Sequence, residues 1–257
     1  MRLSGFQNTL TIVTGAAGGI GQAVTRLLLE AGARVVATDT EAALASYEAP
    51  AGASVMPLDV RDAEAAEALV ATAEAEHGPL GLGVHAAGVL AVGPLLDLPD
   101  AEWQRVIDIN ATGSFNVTRA LGRAMARHGR GAIVSVSSNA AGVPRLNMGA
   151  YAASKAAATM LIRCLGLELA GKGVRCNIVA PGSTLTPMQT GMWTEKDGSG
   201  ERAVIEGSLE AFRTGIPLKK IATPEDIAAA VMYLLSDQAG HVTMADLYVD
   251  GGATLRA

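Results

Sequence analysis

"TLTIVTGAAGGIGQAVTRLLLEAG", residues 9–32, decides the fold class of this chain. Its first seven residues are apolar or β-branched and read as a strand, while the run from Gly19 carries helical periodicity and stops at Gly32. Between them Gly15, Gly19 and Gly21, with Ile20 inside the last pair, permit a tight turn. They also allow the close backbone approach that a pyrophosphate at a helix N-terminus requires. The spacing is not G-x-G-x-x-G, and glycines at a helix start also occur for packing alone. The next strand, "ARVVATD" (33–39), ends in Asp39, about where a carboxylate meets the hydroxyls of an adenosine ribose. A carboxylate there repels a 2′-phosphate, and no Arg or Lys in the glycine loop reverses that preference. The expected cofactor is NAD rather than NADP.

Working outward, the same alternation continues. "ASVMPLD" (53–59), "GLGVHAAG" (81–88), "GAIVSVSS" (131–138), "VRCNIVAPG" (174–182) and the final "DLYVDGG" (246–252) read as strands. Most are apolar nearly throughout, as parallel strands covered on both faces are. "RDAEAAEALVATAEAEHG" (61–78), "SFNVTRALGRAMARHG" (114–129) and "YAASKAAATMLIRCLGLELAGKG" (151–173) read as helices ending at glycine. "TPEDIAAAVMYLLSD" (223–237) is a further helix, with Thr223 as N-cap and Pro224 at its first position. The pattern predicts an α/β doubly wound parallel sheet of Rossmann type, one domain over residues 1–257. Asp59 and Val60, ending the third strand, are placed to meet the adenine ring; the other reading of Asp59 is a cap for the helix that follows. Residues 183–215 break the rhythm with a polar, glycine-rich segment around Met188, Met192 and Trp193. So long a connection reads as a flexible lid or binding loop, or as a surface excursion of two short helices.

Composition narrows the function. Hydrophobic residues make up 49% and charged residues 18%, which suits a buried core. With 25 acidic and 20 basic residues, net −5 and no basic block, nucleic acid is not an expected partner. No apolar run reaches the ~20 residues of a membrane span, and the N-terminus runs almost directly into a strand. The two cysteines, Cys164 and Cys176, have no metal-like spacing and read as reduced thiols of a cytoplasmic protein; no metal is expected.

"YAASK" (151–155) places a phenol and an ammonium one helical turn apart. A free tyrosine has a pKa near ~10 and is a poor base at neutral pH. Lowering it to ~7 takes about 4 kcal/mol, which an ammonium at ~4 Å supplies at an effective dielectric near ~20. Tyr151 with Lys155 therefore reads as a tuned base.

TGxxxGxG, Asn110 in "DINATG", Ser138 in "VSVSS", "YAASK" and "PGSTLT" stand in the order and spacing of the short-chain dehydrogenase/reductase family, which the chain resembles along essentially its whole length. The resemblance implies that Tyr151 takes the proton of a substrate hydroxyl, that Lys155 also holds the nicotinamide ribose, and that Ser138 hydrogen-bonds the reacting oxygen. It implies that Asn110 anchors a water linking Lys155 to solvent. Ser135 and Ser137 neighbour Ser138, but spacing to the tyrosine favours Ser138. Ala87 and Gly88 border the cofactor, and Pro181, Gly182, Thr184 and Thr186 form the loop that meets the carboxamide. The resemblance also implies a homotetramer.

One departure stands out: where many members read N-N-A-G, this chain reads His85-Ala86-Ala87-Gly88, and His85 is expected to be a packing residue. The stretches 143–157, 165–189 and 215–228 resemble, more narrowly, members that oxidise the C3 hydroxyl of a dihydro-cyclohexadiene carboxylate with aromatisation. The C2 substituent, hydroxyl or amino, stays open. Such a substrate asks for a cation, and Arg145 is the candidate, equally readable as a surface or interface arginine; Met148, Met188 and Gln189 are candidate walls. An NADPH-dependent ketoreductase is opposed by Asp39, and a non-catalytic NAD sensor by the complete Asn-Ser-Tyr-Lys set.

Overall fold

The structure is a computed structural model that describes residues 2–193 and 197–255. Seven parallel strands form one sheet in the order β3-β2-β1-β4-β5-β6-β7. They are β1 (Leu10–Thr14), β2 (Arg34–Asp39), β3 (Ser54–Pro57), β4 (Leu80–His85), β5 (Gly131–Val136), β6 (Val174–Pro181) and β7 (Asp246–Val249). All seven expected strands are present. β4 stops three residues short of expectation because Ala86–Gly88 leave the ladder and line a cleft instead. The order reverses between β1 and β4, and the crevice at that switch point is where open α/β sheets bind ligands.

Helices cover both faces. On one, α1 (Gly19–Glu30) packs with α9 (Pro224–Leu235), burying Val24, Leu28, Ile227, Val231 and Leu234 against Val13, Val84 and Val134. On the other, α3 (Ala63–His77), α5 (Gly113–His128) and α6 (Gly149–Ala170) bury Leu69, Val70, Leu121, Met125 and Ile162 against Ile12, Ile133 and Ile178. Each such side chain contributes roughly 1.5–3 kcal/mol on burial. Two-sided covering explains why β1 is buried at all five positions, Thr11 and Thr14 included, rather than at alternate ones.

Helix starts separate structural ends from functional ones. α9 opens with a full capping box: Asp226 N donates to Thr223 Oγ1 at 3.2 Å and Thr223 N to the Asp226 carboxylate at 2.9 Å. α3 is capped by Asp62, which accepts from Ala65 N at 2.9 Å; the alternative cap role for Asp59 is therefore excluded. The N-terminus of α1 carries no side-chain cap, since its N-cap is Gly18. Its first amide groups remain available to an anion.

Two features differ from the sequence reading. A short helix α2 (Glu41–Leu44) follows β2, and α4 (Asp100–Ile107) runs into a π-helical turn over Asp108–Thr112 that joins it to α5. The excursion after β6 contains α7 (Pro187–Thr190) and α8 (Ser199–Glu206), so it is helical in part; residues 194–196 of the expected lid lie outside the described residues. Among the described residues, no helix is long and apolar enough to cross a membrane.

Candidate active site

Two adjoining cavities open at the C-terminal edge of the sheet, of about 400 Å³ and about 420 Å³. Ile20, Ala86, Gly88, Thr186 and Met188 line both. The first also holds Gly15, Gly19, Gly21, Asp39, Asp59, Val60 and Ala87; the second holds Ser138, Tyr151, Lys155, Pro181, Gly182 and Thr184. The sheet edge thus gathers residues scattered from 15 to 186 into one cleft. Asn110 stands just behind it, fully buried.

The first cavity is shaped by backbone. A Cβ on Gly15, whose φ is +69°, would lie 2.5 Å from Ala87 N, and one on Gly21 would lie 2.0 Å from Gly15 O. A Cβ on Gly19 would meet Thr186 Cγ2 at 2.9 Å. These positions leave room only for glycine and bring the loop, the end of β4 and the loop after β6 together around the uncapped helix end. Asp39 accepts from Ala17 N at 3.1 Å and from Thr40 N at 2.9 Å, which fixes its carboxylate at the rim. Arg61, the one cation lining this cavity among the described residues, forks onto Asp59, with Nε 3.0 Å from each carboxylate oxygen. That pairing lowers the Asp59 pKa and occupies the guanidinium. Val60 packs under Gly113, and Asn116 Nδ2 donates to Val60 O and Arg61 O at 3.1 Å, holding this loop on α5. A diphosphate at the helix end and a ribose diol beside Asp39 fit this arrangement of donors and acceptors.

In the second cavity α6 supplies Tyr151 and Lys155, and the end of β5 supplies Ser138. Tyr151 is 8% exposed and its phenol lies beside Ser138, which holds the phenol pKa down, while Ser138 Oγ accepts from Ala140 N at 3.1 Å. Ser137, which also borders the cavity, shares a 2.6 Å hydrogen bond with Thr159, and Ser135 lies in the buried ladder, so Ser138 is the serine beside the phenol. Lys155 is 6% exposed, and Nζ donates to Val136 O at 3.1 Å.

The tuned-base expectation needs correcting here. Lys155 Nζ stands 5.9 Å from the Tyr151 ring centroid, and the phenol pKa is raised by burial and lowered only by Ser138. Burial also pushes the Lys155 ammonium down to about 8. The sequence argument counted the attraction of the pair and omitted desolvation, which acts on both groups when both are buried. Asn110 is buried behind this pair. Its side chain ties the loop after β4 to α6: Oδ1 accepts from Val89 N, and Nδ2 donates to Val89 O, both at 2.8 Å, and to Ser154 Oγ at 3.0 Å. Both amide hydrogens are used, and the side chain forms the floor of the site beside Gly88, where a Cβ would meet Asn110 Oδ1 at 3.2 Å and Lys155 Nζ at 3.1 Å. The π turn makes this placement possible by letting Asn110 face inward between two helices.

His85 is the packing residue expected. It is 1% exposed, its Nδ1 is 2.8 Å from Thr14 Oγ1, and burial, with Lys155 nearby, pushes its pKa down to about 3. The imidazole is neutral at any working pH.

Arg145, Met148, Met188 and Gln189 all line the second cavity. Sequence reasoning missed Arg213, which lines it as well, and did not foresee that Met192 and Trp193 would join them there. Gly207 and Gly215, both at positive φ, were the available signal that the chain doubles back near Arg213.

Comparison with known proteins agrees with this geometry. The family profile described as enoyl-(acyl carrier protein) reductase matches residues 15–254. The chain is 49% identical to 2,3-dihydro-2,3-dihydroxybenzoate dehydrogenase of Bacillus subtilis, across 99% of both chains. It is 43% identical to the vibriobactin-specific 2,3-dihydro-2,3-dihydroxybenzoate dehydrogenase of Vibrio cholerae, across 96% of this chain and 97% of that one. The solved aldohexose dehydrogenase of Thermoplasma acidophilum superposes with a TM-score of 0.88 at 28% identity, covering 100% of this chain and 98% of that one. The chain belongs to the short-chain dehydrogenase/reductase family and is an oxidoreductase that uses a nicotinamide cofactor.

Proposed function

We propose that the protein oxidises the C3 hydroxyl of 2,3-dihydro-2,3-dihydroxybenzoate with NAD, giving 2,3-dihydroxybenzoate. The reading is carried by the meeting of Tyr151 and Ser138 in a cavity whose wall also presents the Arg145 guanidinium. Relatives of 43% and 49% identity bear that name.

The cofactor supplies the hydride acceptor for C3. Gly15, Gly19, Ile20, Gly21, Asp39, Asp59, Val60, Ala87, Gly88, Pro181, Gly182, Thr184 and Thr186 are the residues proposed to hold it, with Tyr151 and Lys155 at its nicotinamide end. Ser138 orients the substrate hydroxyl toward Tyr151, which removes its proton as the C–H bond at C3 breaks. Lys155 stands at the nicotinamide end with its ammonium held by Val136 O, and Asn110 donates to Ser154 Oγ on α6. The C3 ketone then enolises: C2 gives up its hydrogen as a proton to water, the C3 oxygen takes up a proton from water, and the ring becomes aromatic. Arg145 faces the carboxylate, while Met148, Met188 and Gln189 wall the ring. The test is turnover of the dihydroxy acid against its 3-hydroxy-2-amino analogue. Preference for the first by kcat/KM supports the reading, and preference for the second overturns the substrate while leaving the chemistry.

NAD over NADP follows from Asp39, with Arg61 already engaged by Asp59 and so not free for a phosphate. Asp39→Ala is expected to lower kcat/KM for NAD by about 10- to 100-fold, the value of losing charge-assisted hydrogen bonds, and to narrow the preference over NADP. Unchanged selectivity in steady-state assays with both cofactors contradicts this. For the assembly we infer a cytoplasmic homotetramer using the outer faces of α5 and α6, where Phe115, Met160 and Leu167 are exposed.

A further inference from the structure

Arg213 stands at the end of a hairpin that the chain builds at some conformational cost. Gly207 and Gly215 cross so closely that a Cβ on Gly207 would lie 2.4 Å from Gly215 N and 2.5 Å from Arg213 O, and one on Gly215 would lie 2.5 Å from Ile205 O. Ser208 and Arg213 close the hairpin with two main-chain hydrogen bonds of 3.0 and 2.8 Å. Ala211 N donates to Ser208 Oγ at 3.2 Å inside it. Phe212, immediately before Arg213, holds φ +52°, a region that disfavours bulky side chains, and its ring is 90% exposed. The strain gains no burial for Phe212; it sets the direction of Arg213.

The Arg213 guanidinium enters the cavity that holds Tyr151, next to Met148, whose Sδ is 3.9 Å from Nη2. Arg145 lines the same wall, close enough that the two cations repel: the Arg145 pKa is lowered by its own burial and then by Arg213. Neither makes an ion pair with a carboxylate among the described residues. Asp250 is the neighbouring acid, but its oxygens are taken by Thr254 Oγ1 at 2.7 Å, Thr254 N at 3.1 Å, Gly252 N at 2.9 Å and, at 3.4 Å, Asn139 Nδ2. Two guanidiniums that face one cavity from separate segments, neither tied into an ion pair among the described residues, make a receptor for a planar anion.

We propose that Arg213 and Arg145 jointly bind the carboxylate of the substrate, with the 207–215 hairpin delivering the second guanidinium. This rests on the proposed oxidation of an aryl-type dihydrodiol acid and assigns its carboxylate subsite. Arg213 is thereby a specificity-determining residue for acids over neutral diols.

The experiment measures kcat/KM of the full-length enzyme with NAD for the dihydrodiol acid and for the unsubstituted cyclohexadiene diol, in wild type, Arg213→Ala, Arg213→Lys and Arg145→Ala. Inhibition by benzoate is measured alongside. The ratio of acid to neutral diol is expected to fall about 10- to 100-fold in both alanine variants and less in Arg213→Lys, which keeps the charge and loses the fork. Benzoate inhibition weakens in parallel. An unchanged ratio in Arg213→Ala, with benzoate inhibition also unchanged, overturns the proposal and leaves the acid as substrate. If wild type ignores the dihydrodiol acid yet Arg213→Ala still weakens benzoate binding, the substrate reading fails and the anion subsite stands.

Discussion

Tyr151→Phe is expected to lower kcat by about 10³-fold or more while cofactor binding changes by less than about 3-fold. The phenol is buried against Ser138 in the cavity, and the substitution removes one oxygen atom and little volume. General acid–base groups contribute roughly 10² to 10⁴ in rate, so a loss near the upper half of that range identifies Tyr151 as the base. Nucleotide titration by fluorescence beside steady-state turnover separates the two effects. A variant that keeps more than about a tenth of wild-type kcat contradicts the role given to this residue.

Lys155→Met is expected to abolish useful turnover and, at about pH 7, to raise thermal stability. The wild-type ammonium is buried, and its pKa in the folded protein is pushed from 10.5 down to about 8. The unfolded chain binds that proton more tightly, so the group opposes folding fully below about pH 8, and its opposition fades as pH rises toward about 10.5. The penalty is about 3 kcal/mol. Methionine loses the hydrogen bond to Val136 O, costing about 1 kcal/mol, for a net gain near ~2 kcal/mol and a Tm rise of about 4–8 °C. The gain disappears by about pH 10, where the wild-type lysine is neutral in the folded state. Melting curves at the two pH values check the sign, and a variant destabilised at pH 7 contradicts it. The buried lysine is in this sense retained for chemistry against stability.

The parts legible in the sequence share one property: they are local. The apolar runs of β1, β5 and β6, the glycine loop after β1 and the Thr223-Pro224 start of α9 declare themselves within ten residues each. The motif spacing likewise placed Ser138, Tyr151 and Lys155 in one cavity. What stayed hidden depends on distance through space. The stretch that forms α4 and the π turn mixes polar and apolar residues without a clean period, because Asn110 must face inward to tie Val89 to Ser154. That Asp59 is not the cap of α3 shows only in the fold, where Asp62 accepts from Ala65 N and Arg61 forks onto Asp59. The sign of the Tyr151 shift required knowing that both it and Lys155 are buried. Arg213 belongs to a segment with no periodicity at all, and its place at the cavity comes from two glycines crossing at 2.4 Å of imagined Cβ distance.

The central claim is hydride removal from C3 followed by proton loss from C2, and selective deuteration tests it most directly. With NAD and the dihydrodiol acid labelled at C3, mass spectrometry of the reduced cofactor is expected to find the deuterium transferred. With the label at C2, deuterium is expected in water and in neither product. Label from C2 in the reduced cofactor, or label from C3 retained in the aromatic acid, contradicts the account.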